Sequence, residues 1–239
     1  MKDILDIHTH TIASGHAYST IREMSAAAKA KGLSLLGISE HAPMMPGSCH
    51  DFYFANLKIL DRTMYDVPVL FGSELNILNR CGEIDLPEYI LKDLDYTIAS
   101  LHPPCIPFMD EADITNAVLG AIRNPYVHVI GHPDDSRFPL NYDEVTAAAA
   151  EHNVLLEINN ASLAPKGFRH NPRENYLKML EYCKKYQTKV ILSSDAHVDA
   201  LVGAHDYALR ILQEANFPEE LIINGSVSDF LLWIGKTSA

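Results

Sequence analysis

The sequence predicts an α/β fold closed as a parallel barrel, and three observations predict it. Seven short apolar runs, each about the length of a buried strand, are spread along the 239 residues. Segments of helical character separate them, so the order is βα throughout. No Gly- or Ser-rich linker and no low-complexity stretch divides the chain, which favours one barrel over separate domains and makes residues 1–239 a single domain. An open, doubly wound sheet is the structural rival.

The strands are expected at Ile4 to Ile7, Leu33 to Ile38, Val67 to Gly72, Tyr96 to Ala99, Val127 to Ile130, Leu155 to Ile158 and Lys189 to Leu192. The clearest helix is Thr20 to Lys31. There Thr20 can cap, Glu23 stands three residues on, and Gly32 suits a left-handed exit. Asp51 to Tyr65, Asp113 to Arg123, Asp143 to His152, Pro172 to Tyr186 and Asp199 to Ala215 also read as helices.

Composition removes several classes of function. A net charge of -12 argues against broad electrostatic binding of nucleic acid. No apolar run is long enough to span a membrane and no basic stretch precedes a signal-like segment, so the chain reads as cytoplasmic with no membrane partner. Cys49, Cys81, Cys105 and Cys183 form no Cys-x-x-Cys pair and suggest neither a disulfide framework nor a Cys-based zinc knuckle. There is no G-x-G-x-x-G and no P-loop to hold a nucleotide cofactor.

The informative pattern lies where the strands end. The first gives His8 and His10, with His16 in the loop beyond; the second gives His41 after Ser39 and Glu40. The third ends in Glu74, the fourth in His102, the fifth in His132, and the seventh in Asp195 and His197. In a parallel barrel all C-terminal strand ends meet on one face, so these nine residues become neighbours. Imidazole and carboxylate are the ordinary ligands of zinc, manganese and iron. Nine are too many for one ion and suit three ions at three or four ligands each, bridged by a carboxylate.

The same nine positions carry a resemblance to the PHP (polymerase and histidinol phosphatase) family, whose signature is His-x-His, a strand-end His, a Glu after strand three, two further His, and Asp-x-His. The likeness is closest to the YcdX-type bacterial phosphatases, through His16-Ala17-Tyr18-Ser19-Thr20, Gly82-Glu83-Ile84-Asp85, Leu156-Glu157-Ile158-Asn159-Asn160 and Ser194-Asp195-Ala196-His197. The resemblance implies a distorted (βα)7, TIM-like barrel with a trinuclear centre of divalent ions, zinc foremost, with manganese, iron or magnesium as alternatives. It implies that His8, His10, Glu74 and Asp195 hold one ion, Glu74 with His102 and His132 a second, and His16, His41 and His197 the third. Glu74 and Asp195 are the carboxylates given a catalytic part as well. One departure is visible: Ser39-Glu40-His41 stands where the family has Thr-Asp-His, which leaves the role of Glu40 to be found.

The implied activity is hydrolysis of phosphate monoesters, with a small phosphorylated substrate as the partner. Clustered divalent cations bring the pKa of a shared water towards neutrality and neutralise phosphate oxygens, so in-line attack by metal-bound hydroxide needs no nucleophilic side chain. A dianionic phosphate also calls for cationic or amide contacts, for which Lys166, Arg169 and Asn159 are the candidates, with Arg80 and Arg137 further off. The rivals are a histidinol-phosphate phosphatase, a protein-tyrosine phosphatase, a DNA 3′ exonuclease and a non-catalytic metal-binding module. His50, His128, His152, His170 and His205 fall outside the pattern and read as structural or surface residues.

Overall fold

The computed structural model describes residues 2–235. One parallel sheet contains β1 (Leu5–Asp6), β2 (Leu35–His41), β3 (Val69–Asn76), β4 (Thr97–Ser100), β5 (Val129–Ile130), β6 (Leu155–Asn159) and β7 (Val190–Ser193), each paired with the next. Around it run α1 (Ile21–Ala30), α2 (Asp51–Asn56), α3 (Glu88–Leu91), α4 (Glu111–Ile122), α5 (Tyr142–His152), α6 (Asn160–Leu163), α7 (Pro172–Tyr186), α8 (Asp206–Glu214) and α9 (Val227–Trp233). The result is a distorted (βα)7 barrel. Among the described residues no helix is long and apolar enough to cross a membrane.

The structure keeps all seven expected strands and moves their ends. β2 and β3 run to His41 and Asn76, beyond the apolar runs that ended at Ile38 and Gly72, because Ser39, Glu40, Ser73 and Glu74 stay buried within the ladder. A strand continues while its backbone is paired, whatever its side chains are. The helix expected over Asp51 to Tyr65 stops at Asn56 and passes into a 3-10 turn, Leu57–Ile59. There the Arg62 guanidinium takes up the freed carbonyls of Leu57 and Leu60, at 3.3 and 2.6 Å. The helix expected over Asp199 to Ala215 divides at Gly203, whose φ of +67° ends the first turn and whose N–H donates to Asp6. The capping box at Thr20 and Glu23 is present. α3, α6 and α9 were not anticipated; two are single turns, and α9 follows the last strand.

Alternate residues of a strand share a face, and the face that points inward changes character along the barrel. At the N-terminal end Leu35, Leu70, Tyr96, Val129, Leu155 and Ile191 form an apolar floor, sealed by Phe230 and Ile234 from the α9 region. One step up, the Tyr96 ring fills the interior and its hydroxyl donates to Ile7 O at 2.5 Å. Gly37 and Gly72 make room for it: a Cβ on Gly37 would lie 2.3 Å from the Tyr96 hydroxyl, and one on Gly72 2.8 Å from its ring. Above this plug the inward positions become Ser39, His41, Glu74, Asn76, Glu157, Asn159 and Asp195.

Among the described residues no eighth strand joins β1 to β7, and side chains with a few main-chain bonds close the gap. The buried Asn224 amide donates to Leu5 O at 3.2 Å and Leu192 O at 2.9 Å, and accepts from Leu192 N at 2.8 Å. Further up, Asp6 accepts from Ser194 N, Ser194 Oγ and Gly203 N. Past the strand ends His10 N donates to Ala196 O at 2.8 Å. His205 completes the seam, its Nδ1 2.7 Å from Asp3 and its Nε2 3.6 Å from Asp6. Burial opposes charge on His205, but the two carboxylates outweigh it and raise its pKa to about 10. This histidine is structural, as its place outside the ligand pattern suggested.

Two expectations follow. Replacing Asn224 by Ala removes three main-chain partnerships in a dry seam and should cost on the order of 3 kcal/mol, read from urea denaturation. For His205→Ala the loss should depend on pH. A pKa raised on folding stabilises the native state fully below about 6.5, and that stabilisation fades as pH rises towards 10. The variant should therefore lie furthest below the wild type near pH 6 and approach it by pH 10.5.

Candidate metal centre

All nine expected ligands stand together at the C-terminal mouth, as parallel strands require. Glu74, fully buried on β3, is their centre. Its Oε1 lies 2.8 Å from His132 Nε2, 3.2 Å from His102 Nε2 and 3.4 Å from His8 Nε2; its Oε2 lies 2.6 Å from His41 Nδ1 and 3.5 Å from His10 Nε2. Asp195 Oδ1 faces His8 Nε2 and His10 Nε2 at 3.6 and 3.4 Å. At the outer edge His16 Nε2 is 3.2 Å from both His41 Nε2 and His197 Nε2.

The donors are held with their lone pairs turned inward. His8 Nδ1 is 2.7 Å from Glu157 Oε1, and His102 Nδ1 is 2.7 Å from Asn76 Oδ1. These acceptors place the proton on Nδ1 and leave each Nε2 free to bind. His10 reaches the same state through Ser14. The Ser14 hydroxyl donates to Glu40 Oε2 at 2.5 Å, so it accepts from His10 Nδ1 at 2.9 Å and from His41 N at 3.0 Å. Glu40 also accepts from Thr11 N and Thr11 Oγ1, fixing the loop that carries Ser14. The longer acid at this position thus orients His10 through one intervening hydroxyl.

Four buried atoms, His8 Nε2, His10 Nε2, His41 Nδ1 and Glu74 Oε2, make no hydrogen bond of good geometry, although His41 Nδ1 and Glu74 Oε2 abut at 2.6 Å. Leaving such groups unpaired costs about 1–3 kcal/mol each, so their gathering at one point is the mark of a cation site. Triads His8–His10–Glu74, His41–Glu74–His102 and His10–His41–His197 each bring their ligand atoms within 4.8 Å of one another. Two imidazole nitrogens on one tetrahedral ion stand about 3.3 Å apart, close to the spacing around His16. The donor set therefore fits divalent metal.

Protonation agrees with that reading for His10, His16 and His102. Burial, aided by neighbouring imidazoles, holds His10 well below its ordinary pKa and lowers His16. His102 falls to about 4, burial prevailing over Glu74. Burial would raise Glu74 and Asp195, but the surrounding histidines keep both carboxyls well below the usual range. His8 is pushed well up, because Glu157, Glu74 and Asp195 together overcome its burial.

His132 and Asp195 occupy left-handed backbone, with φ of +30° and +56°. Each such non-glycine residue stores roughly 1–3 kcal/mol and persists only where its surroundings dictate it. The His132 N–H donates to Glu157 Oε2 at 2.7 Å, and Asp195 Oδ2 accepts from Asn159 Nδ2 at 3.1 Å and Arg169 at 3.4 Å. Asn159 and Arg169 thus belong to the cluster's surroundings. Lys166 and Arg80 are exposed, with no hydrogen bond or ion pair to another described residue, and Arg137 is committed to Asp135. Sequence reasoning missed the parts of Glu157, Ser14 and Asn76; alternation from Leu155 and from Glu74 would have put Glu157 and Asn76 on the inner face.

The model of the PHP domain matches residues 6–164. The chain belongs to the PHP domain family. A protein of Clostridium novyi named "Probable phosphatase" is 44% identical over 234 residues, covering 98% of this chain and 95% of its own. Another of that name from Clostridium acetobutylicum is 45% identical over 224 residues, covering 94% and 91%. The fold is that of histidinol phosphate phosphatase from Lactococcus lactis, solved with zinc, L-histidinol and phosphate: TM-score 0.67, 20% identity, 91% of this chain and 95% of that one.

Removing the Ser14 hydroxyl should loosen His10 while sparing the ligands themselves. Ser14→Ala is expected to weaken zinc binding about 10- to 100-fold, measured by chelator competition, with the far-UV circular dichroism unchanged.

Proposed function

We propose that this protein is a metal-dependent hydrolase of phosphate monoesters with three divalent ions, zinc foremost. His8, His10, Glu74 and Asp195 hold the first ion, Glu74 with His102 and His132 the second, and His16, His41 and His197 the third. The observation that carries this reading is the gathering of three buried imidazole nitrogens, none in a well-formed hydrogen bond, around the Glu74 carboxylate. The relatives named as phosphatases support it.

Bound divalent ions supply an acidified water as nucleophile and neutralise the phosphate oxygens. The chain's own residues supply the positioning. Glu74 offers one oxygen to the His8, His102 and His132 side and the other to the His10 and His41 side, which suits it to bridge and to fix the spacing of whatever lies between. Asp195 keeps Oδ1 on the cluster because Asn159 and Arg169 hold Oδ2. Arg169, nearly buried, brings a fixed positive charge to the edge where a phosphate oxygen would lie, and Lys166 on the same loop can add a second from solvent.

Stripping the protein with a chelator should abolish turnover of a phosphomonoester panel that includes histidinol phosphate, and zinc or manganese should restore it. Elemental analysis should give about three equivalents of metal in the wild type, about two in His16→Ala, and one or fewer in Glu74→Gln. One equivalent or none in the wild type, without turnover, would overturn the reading.

A further inference from the structure

We propose that a pocket on the flank of the metal cluster receives a second anionic group of the substrate, so that the preferred substrates are phosphate esters carrying another phosphate or a carboxylate. The inference rests on the phosphatase reading above and specifies which esters that site takes.

The pocket, about 450 Å³, opens between α6, α7 and α8. Its polar wall is Ser162, Arg169, Arg173, Tyr207, Arg210 and Glu214. Three guanidiniums on one pocket are notable in a chain of net charge -12 with only 19 lysines and arginines. Arg169 joins this pocket to the cluster: it lines the wall, donates to Ser162 Oγ at 2.8 Å, and reaches Asp195 Oδ2 at 3.4 Å. Arg169 is thus shared between the edge of the cluster and the cationic cavity.

The three arginines are not equally engaged. Arg173 forms a close ion pair with Glu214. Arg210 stacks at 5.4 Å on the ring of Tyr207, and among the described residues no carboxylate pairs with it. A guanidinium beside an aromatic ring and without a carboxylate partner keeps N–H groups available, and its planar fork matches a phosphate or carboxylate. The walls are formed in advance. Asn160 Oδ1 accepts from Tyr207 N at 2.8 Å and Ala208 N at 3.2 Å, which ties α6 to the start of α8. Gly167 lies so close to that turn that a Cβ would stand 2.6 Å from Ser162 O. These ties hold the α6 and α8 sides of the pocket before an anion enters, which lowers the cost of binding.

The test uses the metal-loaded protein and a series of 1,n-alkanediol bisphosphates, n from 3 to 8, against the matching alkyl monophosphates, so that leaving-group chemistry stays constant. At the length that reaches the pocket, the bisphosphate should show a KM about tenfold or more below that of its monophosphate, the effect of one charge-assisted contact. Arg210→Ala should erase that difference, leaving kcat and the monophosphate KM unchanged, and Arg210→Lys should restore part of it. Calorimetric binding of the best bisphosphate to metal-stripped protein should weaken to the same degree in Arg210→Ala. No preference at any length, or an equal loss for both substrate types, would sink the inference while the phosphatase reading stands. Absence of all monoester turnover would sink that reading instead, and the calorimetric comparison would still decide whether Arg210 binds anions.

Discussion

The structure depends on one constraint: imidazole lone pairs turned on a buried carboxylate are stable together only where positive charge can stand between them. Glu74 sets that condition, with five imidazole nitrogens in two sets, one on each oxygen. Such an arrangement is stable only if the imidazoles do not turn to hydrogen-bond elsewhere. Glu157, Asn76 and Ser14 prevent that by engaging the far nitrogen of His8, His102 and His10. The barrel thus supplies two concentric sets of residues, one to bind and one to aim.

The same constraint explains the interior below the cluster. A site open at the bottom would admit water and relax the field around Glu74, since electrostatic interactions weaken steeply in high dielectric. The Tyr96 ring, admitted by Gly37 and Gly72 and backed by Phe230, forms a dry plug beneath the polar layer. Glycines that look like strand weaknesses in the sequence are the places where a large side chain crosses the barrel axis.

Much of this was legible before any coordinates. The βα alternation announced the barrel, and the recurrence of His, Glu and Asp at strand ends announced the cluster, because both are periodic and local. What stayed hidden was of another kind. Ser14 is one serine among many until Glu40 and His10 are seen on either side of it. Asn224 lies far from the strands it joins, and nothing in its neighbourhood marks it as barrel material. The helix expected over Asp51 to Tyr65 failed for a similar reason: its early end is permitted by Arg62 taking up two carbonyls, a tertiary contact no local pattern encodes.

The side-chain seam between β1 and β7 has a consequence for how the molecule forms. The first 164 residues contain six of the seven strands but neither Asp195, His197, Asn224 nor the apolar residues of α9. Leu5 must wait for Asn224, 219 positions later, before its carbonyl is matched across the seam. Contacts of such sequence separation are slow to form, so a chain emerging from the ribosome holds an open, half-lined sheet until nearly all of it is made. A chaperone that shelters the incomplete sheet edge would therefore matter more to the yield of this protein than any local propensity of its helices.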